Sequence, residues 1–140
     1  METYQGLMNR QAKEFQELPI FFAFSKKQFE DGMKSIELTV DDVKQITSIT
    51  GGGYIKKNES YLLFEMMNRH EKELVSAMDT GYDFCFQMFS YQLSNHEYCI
   101  TCDVKDTIDV LGLSKADIQT NPVLAKSLID AIAAQFETES

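Results

Sequence analysis

His96, Cys99 and Cys102 form the densest cluster of chemically capable side chains in this 140-residue chain. Two thiolates at C-x-x-C spacing with an imidazole just upstream supply three of the four ligands that tetrahedral zinc takes, and Cys85 could be the fourth. Read that way, the chain would be a small metal-binding regulator or enzyme. A structural zinc site usually draws on a second pair at its own tight spacing, and the sequence has none. Cys85 falls in a run of apolar residues where a cysteine behaves as a small hydrophobe. No βαβ pattern surrounds the C-x-x-C, as a redox pair would require. The metal-free reading is preferred, and no cofactor is expected.

Other chemistry fails on spacing. His70-Glu71 and His96-Glu97 each begin an H-E-x-x-H helix, but Leu74 and Ile100 stand where the second ligand belongs. His70 is expected instead to be a hydrogen-bonded core histidine, and His96 to end a helix with its ring on free carbonyls. Gly51-Gly52-Gly53 with Lys56 and Lys57 lacks the G-x-x-x-x-G-K-[ST] pattern and leads into a strand, so a hairpin turn explains it better than a phosphate cradle. Asp103, Asp106 and Asp109 recur every third residue with Asp117 beyond, without the alternate spacing, central Gly and terminal Glu of a calcium loop. They read as a solvated acidic face or as a contact face for a partner of basic surface. No nucleophile elbow or triad order appears, and the expectation is a protein that is not an enzyme.

The elements that must carry these residues follow from periodicity. Tyr4, Leu7, Met8, Gln11, Phe15 and Leu18 predict an amphipathic helix over about 2–17, closed by Pro19. Ile20–Phe24 reads as a short buried strand or extended segment. Ser25 and Gln28 form a capping-box pattern before a short helix with Phe29 and Met33 inward. Val43–Tyr54 alternates and is rich in β-branched residues, so it predicts a strand and a hairpin turned by the glycines. From Asn58 the period becomes helical, with Leu63, Met67, His70, Leu74 and Ala77 as the inward stripe and Glu65, Arg69 and Glu73 paired on the other face. Tyr82–Leu93 is apolar nearly all round and is expected to be the central helix. Asp103 caps a helix ended by Gly112, Ser114 caps a single turn, and Asn121-Pro122 starts a last helix that buries Leu124, Leu128, Ile132 and Phe136. The expected fold is α+β: one mostly helical domain over 1–140, of about five helices, with one β-hairpin and room for a third short strand.

Composition fits that reading. The chain is 44% hydrophobic and 25% charged, which excludes a wholly disordered polymer. A chain of 16.0 kDa buries roughly two-thirds of its unfolded surface in one core. The longest apolar run, Ile20–Phe24, is too short to span a bilayer, and no basic-then-apolar leader opens the sequence. A cytoplasmic setting with reduced thiols is therefore expected, no membrane is implied, and the Asn58-Glu59-Ser60 sequon is read as accidental. The net charge of −9 argues against direct nucleic-acid binding. That charge is uneven. Residues 1–70 carry 10 acids and 9 bases, whereas residues 71–140 carry 12 acids and 4 bases.

Three stretches carry a resemblance: Phe21-Phe22-Ala23-Phe24-Ser25-Lys26-Lys27-Gln28-Phe29, Gly51-Gly52-Gly53-Tyr54-Ile55, and Asn95-His96-Glu97-Tyr98 leading into Asp103–Gly112. Together they resemble small acidic proteins of phages and mobile elements in gut bacteria, and among these the type II anti-CRISPR proteins that inhibit Cas9. The likeness spans nearly the whole chain and defines no catalytic motif. It implies a host-defence inhibitor acting by binding, in the cytoplasm of a bacterial host, with Cas9 as the partner. Cas9 exposes basic channels for duplex and heteroduplex. Asp103, Asp106, Asp109 and Asp117 would supply the contact. A structural module of a phage assembly is the other reading, and the sequence fixes no oligomeric state.

Overall fold

The computed structural model describes residues 2–137. Eight α-helices occur among them: α1 (Tyr4–Gln16), α2 (Lys26–Ser35), α3 (Ser60–Met78), α4 (Tyr82–Asn95), α5 (Tyr98–Thr101), α6 (Lys105–Val110), α7 (Lys115–Thr120) and α8 (Pro122–Glu137). Three strands, β1 (Ile20–Phe22), β2 (Ile46–Ile49) and β3 (Gly53–Lys56), make an antiparallel sheet in the order β1-β3-β2. The fold is α+β and mostly helical, with the hairpin and a third short strand. The chain packs as two compact units, one formed by Asn9–Lys72, the other by the segment up to Met8 together with the chain from Glu73 onward.

In the Asn9–Lys72 unit the sheet packs against apolar side chains on both faces, and its two registers set which residues share a face. Ile20 and Thr47 lie opposite Ile55, while Phe21 and Ser48 lie opposite Tyr54. Side chains alternate across a strand, so Phe21, Tyr54 and Ile46 share one face and pack on Phe29, Met33 and Ile36 of α2 and its C-cap. Ile20, Ile49 and Ile55 share the other, against Phe15, Leu18, Leu63 and Met66 from around α1 and α3. The hairpin turns on Gly51 and Gly52, whose φ angles of +86° and +83° lie in the region that favours glycine. Glycine also serves packing at Gly32 in the middle of α2, where a Cβ would overlap the Phe21 ring.

Ser25 Oγ accepts the Gln28 amide at 3.2 Å as its spacing predicts, but the Gln28 side chain takes the Phe24 amide at 2.7 Å instead of closing the box on Ser25. Three expectations are corrected here. Val43 is in a 3-10 turn over Val40–Gln45 and not in a strand, because the Asp42 carboxylate accepts the Thr39 amide at 2.8 Å and holds the chain in a local turn. Phe22 and Phe24 are exposed rather than buried, since β1 ends at Phe22 and Phe24 lies over the glycine turn. On α3 the inward methionine is Met66, 7% exposed, and Met67 is 53% exposed. Both methionines sit at helical spacing from Leu63 and His70, and packing separates them: Met66 joins Ile55 and Leu63 in the core, while Met67 faces away from it.

In the other unit α4 is the hub. Cys85, Met88, Phe89 and Leu93 are fully buried and pack with Leu124, Leu128 and Ala131 of α8 and with Tyr4 and Leu7. Gln92 Nε2 donates to the Tyr4 hydroxyl at 2.6 Å inside this core. The last helix starts as expected: Asn121 Oδ1 accepts the amides of Val123 and Leu124. Its end differs. Phe136 is half exposed and packs edge-on to Tyr98, while Gln135 is buried because its amide bonds Ser94 Oγ at 2.9 Å and the Ser90 carbonyl at 3.3 Å. Among the described residues no helix is long and apolar enough to cross a membrane.

Candidate functional site

The acidic residues singled out by spacing lie on short helices and are all exposed: Asp103 ahead of α6, Asp106 and Asp109 on it, and Asp117 in the first turn of α7. They divide by local work. Asp103 Oδ1 accepts the Lys105 amide at 2.8 Å, and Asp117 Oδ2 accepts the Ser114 amide at 2.8 Å while its own amide donates to Ser114 Oγ at 3.1 Å. These two carboxylates satisfy amides that a helix start leaves without a partner. Asp106 and Asp109 make no such bond, and among the described residues none of the four forms an ion pair with a cation. The same stretch leaves Ile100 and Val110 exposed.

Among the described residues the cysteine–histidine cluster is not assembled. Cys85 is a fully buried free thiol whose Sγ donates to the Met78 carbonyl at 3.4 Å, and burial, then the charge of Asp79, pushes its titration upward, away from the thiolate a metal needs. Cys102 is exposed and free. The side chain of Cys99 lies outside the described residues. Among those described, no group of three His, Cys, Asp or Glu side chains converges to hold a metal ion. His96 does end α4, but its buried Nε2 has no hydrogen-bond partner among the described residues, so that nitrogen does not serve the carbonyls as expected.

The Asn9–Lys72 unit holds a second constellation that residue spacing did not reveal. Glu14 of α1 accepts Arg69 NH2 at 2.7 Å and His70 Nε2 at 2.8 Å on one oxygen and Arg10 NH1 at 3.1 Å on the other. A carboxylate only accepts, so His70 Nε2 carries the hydrogen. Gln11 adds a bond to the His70 carbonyl at 3.2 Å. The Arg69 guanidinium first, then His70 and Arg10, hold the Glu14 carboxyl down at about 2. His70 is thus a hydrogen-bonded histidine, as expected, but its partner is 56 residues distant. The only local sign was an imidazole on the inward stripe of α3. Beside this cluster runs an open groove of about 640 Å³ between α1 and α3, lined by Glu14, Glu17, Leu18, Leu62, Glu65, Met66 and Arg69.

Over residues 3–134 the chain belongs to DUF7659, a family of unknown function. No curated protein and no solved structure matches it.

Proposed function

We propose that this protein is a non-enzymatic binding protein of a phage or mobile element, which meets a host nuclease through an acidic surface and inhibits it, Cas9 being the first partner to test. The observation that carries the reading is the exposure of Asp103, Asp106, Asp109 and Asp117, without cationic partners among the described residues, in the half of the chain that holds 12 acids and 4 bases. Such a surface complements a basic channel built for nucleic-acid backbone, and steers encounter with it. Ile100 and Val110, exposed in the same segment, supply the apolar contact that charge alone lacks. The working compartment would be the bacterial cytoplasm.

The test is inhibition of target cleavage by purified Cas9 with its guide. Asp106→Lys/Asp109→Lys reverses two charges that no cap uses. Asp103→Asn/Asp117→Asn removes charge while leaving a side-chain oxygen for the capping bonds. Weakened inhibition in both, most at low salt, supports the reading. Inhibition unchanged in both, or absent from the natural protein, rejects it.

A further inference from the structure

The groove of the Asn9–Lys72 unit has a composition that selects its occupant. Its floor is Leu18, Leu62 and Met66, and Met66 is buried. Its rim carries Glu17 and Glu65, both exposed and both without an ion-pair partner among the described residues. At one end Arg69 is engaged by Glu14 at 2.7 Å, so that guanidinium is directed to the Glu14 carboxylate. The volume of about 640 Å³ is in the range of ligand sites, yet the groove is open to solvent, which suits a side chain presented by another protein better than an enclosed small molecule.

We propose that this groove is a docking site for a lysine or arginine side chain of a partner protein, its methylenes lying on Leu18, Leu62 and Met66 and its cationic head between Glu17 and Glu65. Long basic side chains pair an apolar stem with a charged tip, and the groove lining offers both an apolar and an acidic surface. An acidic side chain would meet two carboxylates, and a purely aliphatic one would leave both unanswered. The site involves none of the aspartates invoked above and does not depend on that reading. It adds a second, separate preference for a basic partner.

The probes are capped pentapeptides of glycine with a central arginine, lysine, norleucine or glutamate, titrated into the full-length protein while the methyl resonances of Leu18, Leu62 and Met66 are followed by NMR. The arginine and lysine peptides are expected to shift those three methyls saturably, and the norleucine and glutamate peptides to bind at least about tenfold more weakly. Glu17→Gln/Glu65→Gln should weaken the arginine peptide by about tenfold while the other methyl resonances stay in place, and each single change should fall between. Glu17 and Glu65 are exposed, so the fold does not rest on them. Equal binding of the norleucine peptide, undiminished binding in the double variant, or no shift with any peptide would overturn the proposal.

Discussion

Ser114 and Asp117 cap each other: the hydroxyl of the first accepts the amide of the second at 3.1 Å, and the carboxylate of the second accepts the amide of the first at 2.8 Å. A residue offered as a contact group is thus also part of the helix that displays it. Asp117→Ala should cost about 1 kcal/mol in urea unfolding, as lost caps do, with Asp117→Asn losing less. Asp106→Ala and Asp109→Ala, free of such work, should stay within about 0.5 kcal/mol. Equal losses at all three positions would show that the box contributes nothing.

Gly32 in α2 should resist the substitution that helix propensity favours. In an exposed helix Gly→Ala gains up to about 1 kcal/mol. Here the new methyl would enter the Phe21 ring, which is itself stacked on Tyr54 at 5.3 Å and held in the sheet by the Phe21–Tyr54 register. Gly32→Ala is therefore expected to destabilise by about 1–3 kcal/mol, the usual cost of overpacking. Phe21→Leu should soften that penalty in the double variant. A more stable Gly32→Ala would mean that the ring moves aside freely.

Met66 and Met67 are neighbours with opposite fates. Met66→Ala removes a buried side chain packed with Ile55 and Leu63 and should cost about 2–5 kcal/mol. Met67→Ala, at an exposed position, should change stability by less than about 0.5 kcal/mol. Thermal and urea unfolding of the pair decide which methionine faces the core.

That pair marks where the sequence could and could not be read. Helix starts were legible because caps are local: Ser25, Ser114 and Asn121 each act within three residues of themselves. The central place of α4 was legible because a helix apolar on every side has no solvent face to offer. The choice between Met66 and Met67 was not, since α3 carries apolar residues on both faces, Tyr61 and Phe64 being exposed. Nor was the Glu14 cluster. Its partners come from two helices, and a hydrogen bond between residues 14 and 70 leaves no trace in local spacing. The four aspartates were found as exposed acids, but the capping by Asp103 and Asp117 divides them in a way that recurrence every third residue conceals.

The buried pair Tyr4 and Gln92 should behave as a unit. Tyr4→Phe removes the acceptor of the Gln92 amide at 2.6 Å and leaves that buried donor without a partner, which should cost about 1–3 kcal/mol. Adding Gln92→Leu removes the orphaned donor. The double variant should be less destabilised than the sum of the single changes, because replacing both partners by apolar groups is nearly neutral. Strict additivity in a double-mutant cycle would show that the bond carries no coupling.

Glu14 should give the protein an acid limb. Its carboxyl titrates near 2 in the folded chain against an ordinary 4.5, because Arg69, His70 and Arg10 all favour the charged form. For a group whose value falls on folding, the unfolded state binds the proton first as pH drops, so the stabilisation is complete above about 4.5 and is lost down to about 2. Glu14→Gln removes the charge and so removes this slope. At pH 7 the variant should melt below the natural protein, and the gap should narrow steadily across that acid window until the two curves meet. The carboxylate is partly open to solvent, so added salt should shrink the gap at pH 7 as well. A gap that stayed constant from neutral pH to the acid limit would assign the loss to packing of the side chain rather than to its charge.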